Sequence, residues 1–187
     1  MTTQNQTAKQ YTFDLSHSSV NFHVRHLMIS KVHGRFTRWN GTLAIDEADL
    51  SRSRVAVEIE AASIDTKEPK RDDHLRSADF FDVEKFPTLT FASTKVEAAG
   101  DEQLRVTGDL TIHGVTRSVV LDVERQGEVK DPWGGVRAGF SATTSISRKE
   151  FGLHWNAVLE AGGVAVGDKV TITLEIEAIL ATAAAAA

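Results

Sequence analysis

Alternation with a period of two runs through almost the whole chain, and it leaves little choice of fold. Val20, Phe22 and Val24 fall on one side of an extended segment, while Asn21, His23 and Arg25 fall on the other. Leu104, Val106, Gly108, Leu110 and Ile112 repeat the pattern, as do Val119, Leu121 and Val123. Val136, Ala138, Phe140, Ala142, Thr144 and Ile146 form a longer line. Val170, Ile172, Leu174 and Ile176 against Thr171, Thr173, Glu175 and Glu177 give the cleanest. Successive side chains of a strand point to opposite faces, so each run has one buried and one wet face. The abundant β-branched residues suit that geometry.

Turn signals separate the runs: His33-Gly34, Asn40-Gly41, Ala99-Gly100-Asp101, His113-Gly114, Asp131-Pro132-Trp133-Gly134-Gly135 and Gly162-Gly163. Short turns between alternating runs make antiparallel hairpins. About eight long strands result, a number that closes into an up-and-down barrel and removes exposed edges. A two-sheet sandwich satisfies the same alternation. The inward line mixes Phe22, Phe36, Phe91 and Phe140 with Gly34, Gly108, Ala138 and Ala142. The small residues either leave room near the axis or answer the taper of a filled barrel, and both remain open.

One stretch breaks the alternation. "RDDHLRSADFFDVEKF" (71–86) lies between the strand-like Val55–Glu60 and Thr88–Phe91. Pro69 suits a first helical turn, and Asp72 and Asp73 then complement the positive helix end. Asp79 is the expected N-cap of a second short turn through Phe80-Phe81-Asp82-Val83, and Pro87 ends the insert. Its apolar members, Leu75, Phe80, Phe81, Val83 and Phe86, need an apolar surface, and a barrel end offers one.

Chemistry is harder to find. Asp72, Asp73 and His74 point in divergent directions on a helix, and His23 and His26 lie on opposite faces of a strand. The seven histidines show no H-x-x-x-H or H-E-x-x-H spacing. No G-x-S-x-G elbow occurs either. The expectation is no catalytic residue, no metal and no cofactor. Local capping and ion pairs to Arg71 or Arg76 account for the acidic cluster, and turn geometry accounts for His113-Gly114.

The net charge of −5, with scattered Lys and Arg, speaks against a nucleic-acid partner. With no cysteine there is neither a disulfide framework nor a thiolate. No apolar run reaches membrane-spanning length. Residues 1–10 are read as a flexible N-terminus, 11–180 as a single domain and 181–187 as a flexible alanine-rich tail. The polar start shows no signal peptide, so the expected compartment is the cytoplasm, or the periplasm if a leader has been removed.

Five stretches in order resemble the YceI-like, polyisoprenoid-binding family of bacterial lipid-binding proteins. They are "FDLSHSSVNFHVRHL" (13–27), "GRF" (34–36), "IEAASIDTKEPKRDDHLRSADFFDVEKFPTLTF" (59–91), "VTGDLTIHGVTRSVVLDV" (106–123) and "RAGFSATTSISRKEFGL" (137–153). The resemblance implies a mainly β fold, an extended antiparallel eight-stranded lipocalin-like barrel with a short helical insert and a tube-shaped apolar cavity. It implies a carrier or sequestering protein for a long-chain isoprenoid or fatty amphiphile, without catalysis, and a homodimer. By inward parity and family likeness, the cavity wall comprises Phe22, Val24, Phe36, Leu75, Phe80, Phe81, Phe91, Leu110, Ile112 and Phe140. A polar head at the mouth would meet Arg71, Arg76 or Arg148. An enzyme acting on such a lipid, or a filled barrel serving as an interaction module, are the alternatives.

Overall fold

The computed structural model describes residues 8–160 and 162–181. The expected flexible segments lie mostly outside the described residues, but two residues of the supposed N-terminal tail belong to the fold. Strand β1 is Lys9–Phe13, and Lys9 pairs with Ile45.

After β1 come β2 (Ser19–His26), β3 (Ser30–Phe36), β4 (Trp39–Ile45), β5 (Arg54–Glu60) and β6 (Ile64–Asp65). Helix α1 (Pro69–Arg76) follows, then β7 (Thr88–Ala98), β8 (Gln103–Ile112), β9 (Val115–Lys130), β10 (Val136–Ser147) and β11 (Val166–Leu180). All strand pairings between these elements are antiparallel. The order β1-β4-β5-β7-β8-β9-β10-β11 closes on itself because β11 also pairs with β1. β2, β3 and β6 continue β1, β4 and β5 toward one end, so the eleven segments make the eight walls of a barrel. The end carrying the β2–β3 turn and α1 is called the near end; the end with the β9–β10 turn is the far end.

β11 closes the barrel by joining β10 to β1 and β2. One edge pairs with β10 from Lys169 to Ile179, while the other meets β2 up to Glu175 and β1 from Ala178. Glu177 sits across the break between β1 and β2. Its N–H donates to Ser18 Oγ at 2.9 Å, and its carbonyl accepts from Asp14 N at 2.8 Å. The Ser18 hydroxyl and the Asp14 main-chain N–H of the interruption thus replace ladder bonds.

One ladder stops early. β9 and β10 pair from Val136↔Lys130 to Thr143↔Asp122. Below that point Val115–Leu121 stays bonded to β8, and Thr144–Ser147 stays bonded to β11.

The insert is one helix rather than two. Glu68 caps α1 by accepting from Lys70 N at 3.0 Å, and Pro69 occupies the first turn as expected. Residues 77–86 form turns. Ser77, not Asp79, organises them: its carbonyl accepts from Phe80 N and Asp82 N, and its Oγ accepts from Asp79 N. Asp79 instead bonds His74 Nε2 at 2.8 Å.

At the far end, Arg137 Nη1 donates to Asp14 at 2.6 Å and to Glu177, and its Nε donates to Asp131 at 2.9 Å. Hydrogen bonds from Ser16, then Arg137, hold the Asp14 carboxyl below the usual carboxylate range; Arg137 does the same for Asp131. Folded-state pKa values below the unfolded ones contribute stability that is present above about pH 4 and lost as pH falls further. Arg137→Gln should therefore lower the melting temperature at pH 7 and flatten its decline between pH 4 and 2. An acid limb as steep as the parent's would show that these contacts do not carry it.

Candidate functional site

Inward parity fills most of the barrel, but not all of it. Val20, Phe36, Trp39, Ile59, Leu89, Phe91, Val96, Val106, Leu110 and Ile112 are buried in one continuous cluster. The inward glycines do not open space by themselves. A Cβ on Gly34 would lie 2.3 Å from the Phe22 ring, and one on Gly108 would lie 2.4 Å from that of Phe91. Each glycine lets a neighbouring strand's aromatic ring lie across its backbone. Beyond those rings remains a cavity of about 280 Å³ whose accessible wall is carbon. The barrel is hollow, which resolves the choice that alternation left open.

All ten predicted apolar residues line this cavity: Phe22, Val24, Phe36, Leu75, Phe80, Phe81, Phe91, Leu110, Ile112 and Phe140. The adjacent pair in the insert divides its contacts. Phe81 meets Phe36 edge-on at 5.9 Å, whereas Phe80 is buried against His74 and Trp155, at 5.1 and 5.3 Å between ring centres. Trp39, Thr144, Ile172 and Leu174 line the cavity too. Ile172 and Leu174 carried the right parity, and Thr144 was a polar member of an inward line.

Buried apolar residues cluster toward both ends. Toward the near end Ile64 and Phe151 are each 1 % exposed and belong with Leu153 to the main buried cluster. At the far end Tyr11, Ile45, Ala138 and Ala178 pack together, with Leu50 against them. Leu50 sits on the 46–53 connection, where the buried Asp46 carboxylate accepts from Ala48 N and Asp49 N and pairs with Arg52 at 2.7 Å.

The three arginines expected at a head group are engaged elsewhere. Arg71 donates to the hydroxyl and carbonyl of Thr66. Arg76 donates to the carbonyls of Ala62 and Ile64 and to Asp73. Neither lines the cavity. Arg148 does, but it is 3 % exposed, and its guanidinium reaches the carbonyls of Leu153, Trp155, Val166 and Gly167 at 2.6–3.3 Å. Burial pushes its pKa down, opposed by Asp168. These forked donors hold the chain crossing from β10 to β11.

The acidic cluster is likewise structural. Asp72 is buried and accepts from both the N–H and hydroxyl of Thr66, tying α1 to the residue after β6. His113 adopts φ 52°, and its ring packs on Phe86 at 4.5 Å. Among the described residues, one group could hold a metal: Asp14, His17 and Glu177, whose ligand atoms lie within 4.8 Å of one another. The Arg137 guanidinium already donates to both carboxylates there. Sequence spacing did not reveal the group, because Glu177 arrives from the opposite end of the chain.

The model of the YceI-like domain matches residues 11–178. A UPF0312 protein of Vibrio cholerae is 45 % identical over 149 residues, 79 % of each chain. Among solved structures, BcnA of Burkholderia cenocepacia superposes with a TM-score of 0.78 at 24 % identity, covering 91 % of this chain and 99 % of its own. A polyisoprenoid binding domain from Saccharophagus degradans, implicated in plant cell wall breakdown, gives 0.65 at 18 % identity, covering 91 % and 98 %.

Removing the Arg148 guanidinium leaves buried carbonyls without donors, each such loss costing about 1–3 kcal/mol. Arg148→Met is expected to destabilise the protein by about 3 kcal/mol or more in urea unfolding. A change below about 0.5 kcal/mol, usual for surface sites, would show that water replaces the guanidinium without loss.

Proposed function

This chain belongs to the YceI-like family, and we propose that it binds a long-chain isoprenoid or similar amphiphile in the barrel cavity and carries or sequesters it unchanged. The cavity carries this reading: about 280 Å³ with a carbon wall, inside a barrel whose strand ring is closed. The likeness to a polyisoprenoid binding domain supports it at the level of fold. The polar residues on the wall are Asn21, Ser53, Thr144, Arg54, Arg125 and Arg148. Arg54 donates to the Ser51 and Ser53 carbonyls, and Arg125 pairs with Glu47. The polar atoms of these wall residues do not reach the accessible wall, and the set contains no carboxylate, histidine, lysine or tyrosine, which favours binding over chemistry.

Volume limits what fits inside. An engineered cavity of about 150 Å³ admits benzene, so the present one takes on the order of eleven carbons. Each buried CH₂ contributes about 0.8 kcal/mol, a gross gain near 9 kcal/mol, against an association cost of about 4–15 kcal/mol. Shorter chains bind weakly at best. A longer chain keeps its remainder outside this volume or spreads the walls.

Affinity for a series of linear and prenyl alcohols should therefore rise about fourfold per added carbon, then level off near ten to twelve carbons. Titration with a displaced fluorescent fatty probe measures this. A flat series would remove the cavity from the account. Phe140→Arg places a charge in the apolar wall and should abolish uptake with a clear loss of stability. Native mass spectrometry of the purified protein, showing a co-purifying lipid in the parent but not in the variant, is the decisive comparison. Retention of that lipid by the variant would contradict the placement.

A further inference from the structure

The buried clusters toward both ends raise the question of how a ligand enters. We infer that it enters sideways, through a window where β9 and β10 part, and that its polar head rests on the window's rim. This inference rests on the lipid-binding reading above.

Three observations converge on that place. First, pairing ends at Thr143↔Asp122, although β9 continues down to Val115 and β10 on to Ser147 with alternation as good as before. Their facing edges carry main-chain groups that are not used in this ladder. Such edges are ordinarily covered or paired. Second, a groove of about 450 Å³ lies between these edges, lined from Arg117 to Val120 on one side and from Thr144 to Ser147 on the other. Third, the groove and the inner cavity share Val119, Thr144, Ile146 and Phe151. The two spaces therefore adjoin along these residues.

The window has a fixed lower sill. The 3-10 turn Arg148–Phe151 closes it, with Phe151 buried and Arg148 bonded to four carbonyls beyond the turn. Gly152, at φ 79°, then passes close to His113 at the β8–β9 turn. Arg148 therefore shapes the opening rather than binding a head group.

The rim also indicates the chemistry of the head. Arg117 and Glu150 stand on its two sides, so the charges offset; Ser118, Ser145 and Ser147 add hydroxyls, and the strand edges add main-chain donors and acceptors. That set suits a neutral hydrogen-bonding head such as an alcohol. A pyrophosphate would meet one cation beside a carboxylate. The position also suits the volume: a chain longer than the cavity holds can leave along the exposed Val120 without disturbing either end cluster.

Two measurements test this. A geranylgeraniol analogue carrying a diazirine beside its hydroxyl is bound, its adduct is verified by native mass spectrometry, and the complex is irradiated. Cross-links within 115–121 or 144–150 are expected. Cross-links at the β2–β3 turn, in α1 or in the 46–53 connection would place the entrance at a barrel end and overturn the window. If no adduct forms, the lipid-binding reading itself fails. In the second measurement, Val120→Cys and Ser145→Cys are introduced together into this cysteine-free chain. They are joined by oxidation, or by a short bis-maleimide if the gap is too wide. Closing the window should slow geranylgeraniol uptake at least tenfold, with recovery on reduction of the disulfide form. Uptake at the parent rate with the strands joined would refute sideways entry. Geranylgeranyl pyrophosphate should bind at least tenfold more weakly than the alcohol; equal affinity would remove the head from this rim.

Discussion

The closed hydrogen-bond ring turns on β11, whose fifteen residues complete the circuit between β10 and the first strand. Its two flanks are bonded to different partners, and where those partners break off, Ser18 and Asp14 supply the missing bonds to Glu177. Once the ring is closed, side-chain parity is fixed for every strand at once, because a one-residue slip would turn Ile172, Leu174 and Ile176 outward. The apolar interior follows from this backbone constraint as much as from hydrophobicity.

Buried polar residues serve the connections rather than the cavity. Asp46 folds the far connection, Asp72 ties α1 to Thr66, and Arg148 gathers carbonyls from the crossing between β10 and β11. Each sits where the chain leaves the ladder and main-chain groups lack strand partners. A buried charge there is tolerated because several hydrogen bonds converge on it. The interior wall is left to carbon, the division of labour that a binding barrel requires.

The barrel and its inward face were legible because period-two alternation is local: Phe22, Phe36, Phe91 and Phe140 declare their side within a few residues. The helix was legible from Pro69 and the break in pattern. Other features depended on distant chain segments meeting. Arg148 reads as an ordinary surface arginine until Leu153, Trp155 and Val166 surround it. Ser77 outcompeted Asp79 as the organiser of the turns because its own carbonyl and hydroxyl were both in reach. The glycines signalled space, but the Phe22 and Phe91 rings fill it. The parting of β9 and β10 leaves no trace in composition, since Val115–Leu121 alternates as well as the paired residues above it.

The two ends are built from unlike material. Leu50, beside the Asp46 turn, packs at one; the insert with Phe80, together with Phe151 and Leu153, lies at the other. Both belong to stretches between strands, where doubling the length of a flexible segment costs only about 0.6 kcal/mol in chain entropy. The walls are locked by register, but the axial depth of the hollow is not. A deeper or shallower vessel is within reach of an insertion or deletion in 46–53 or 77–87 that leaves every strand residue of the wall where it stands.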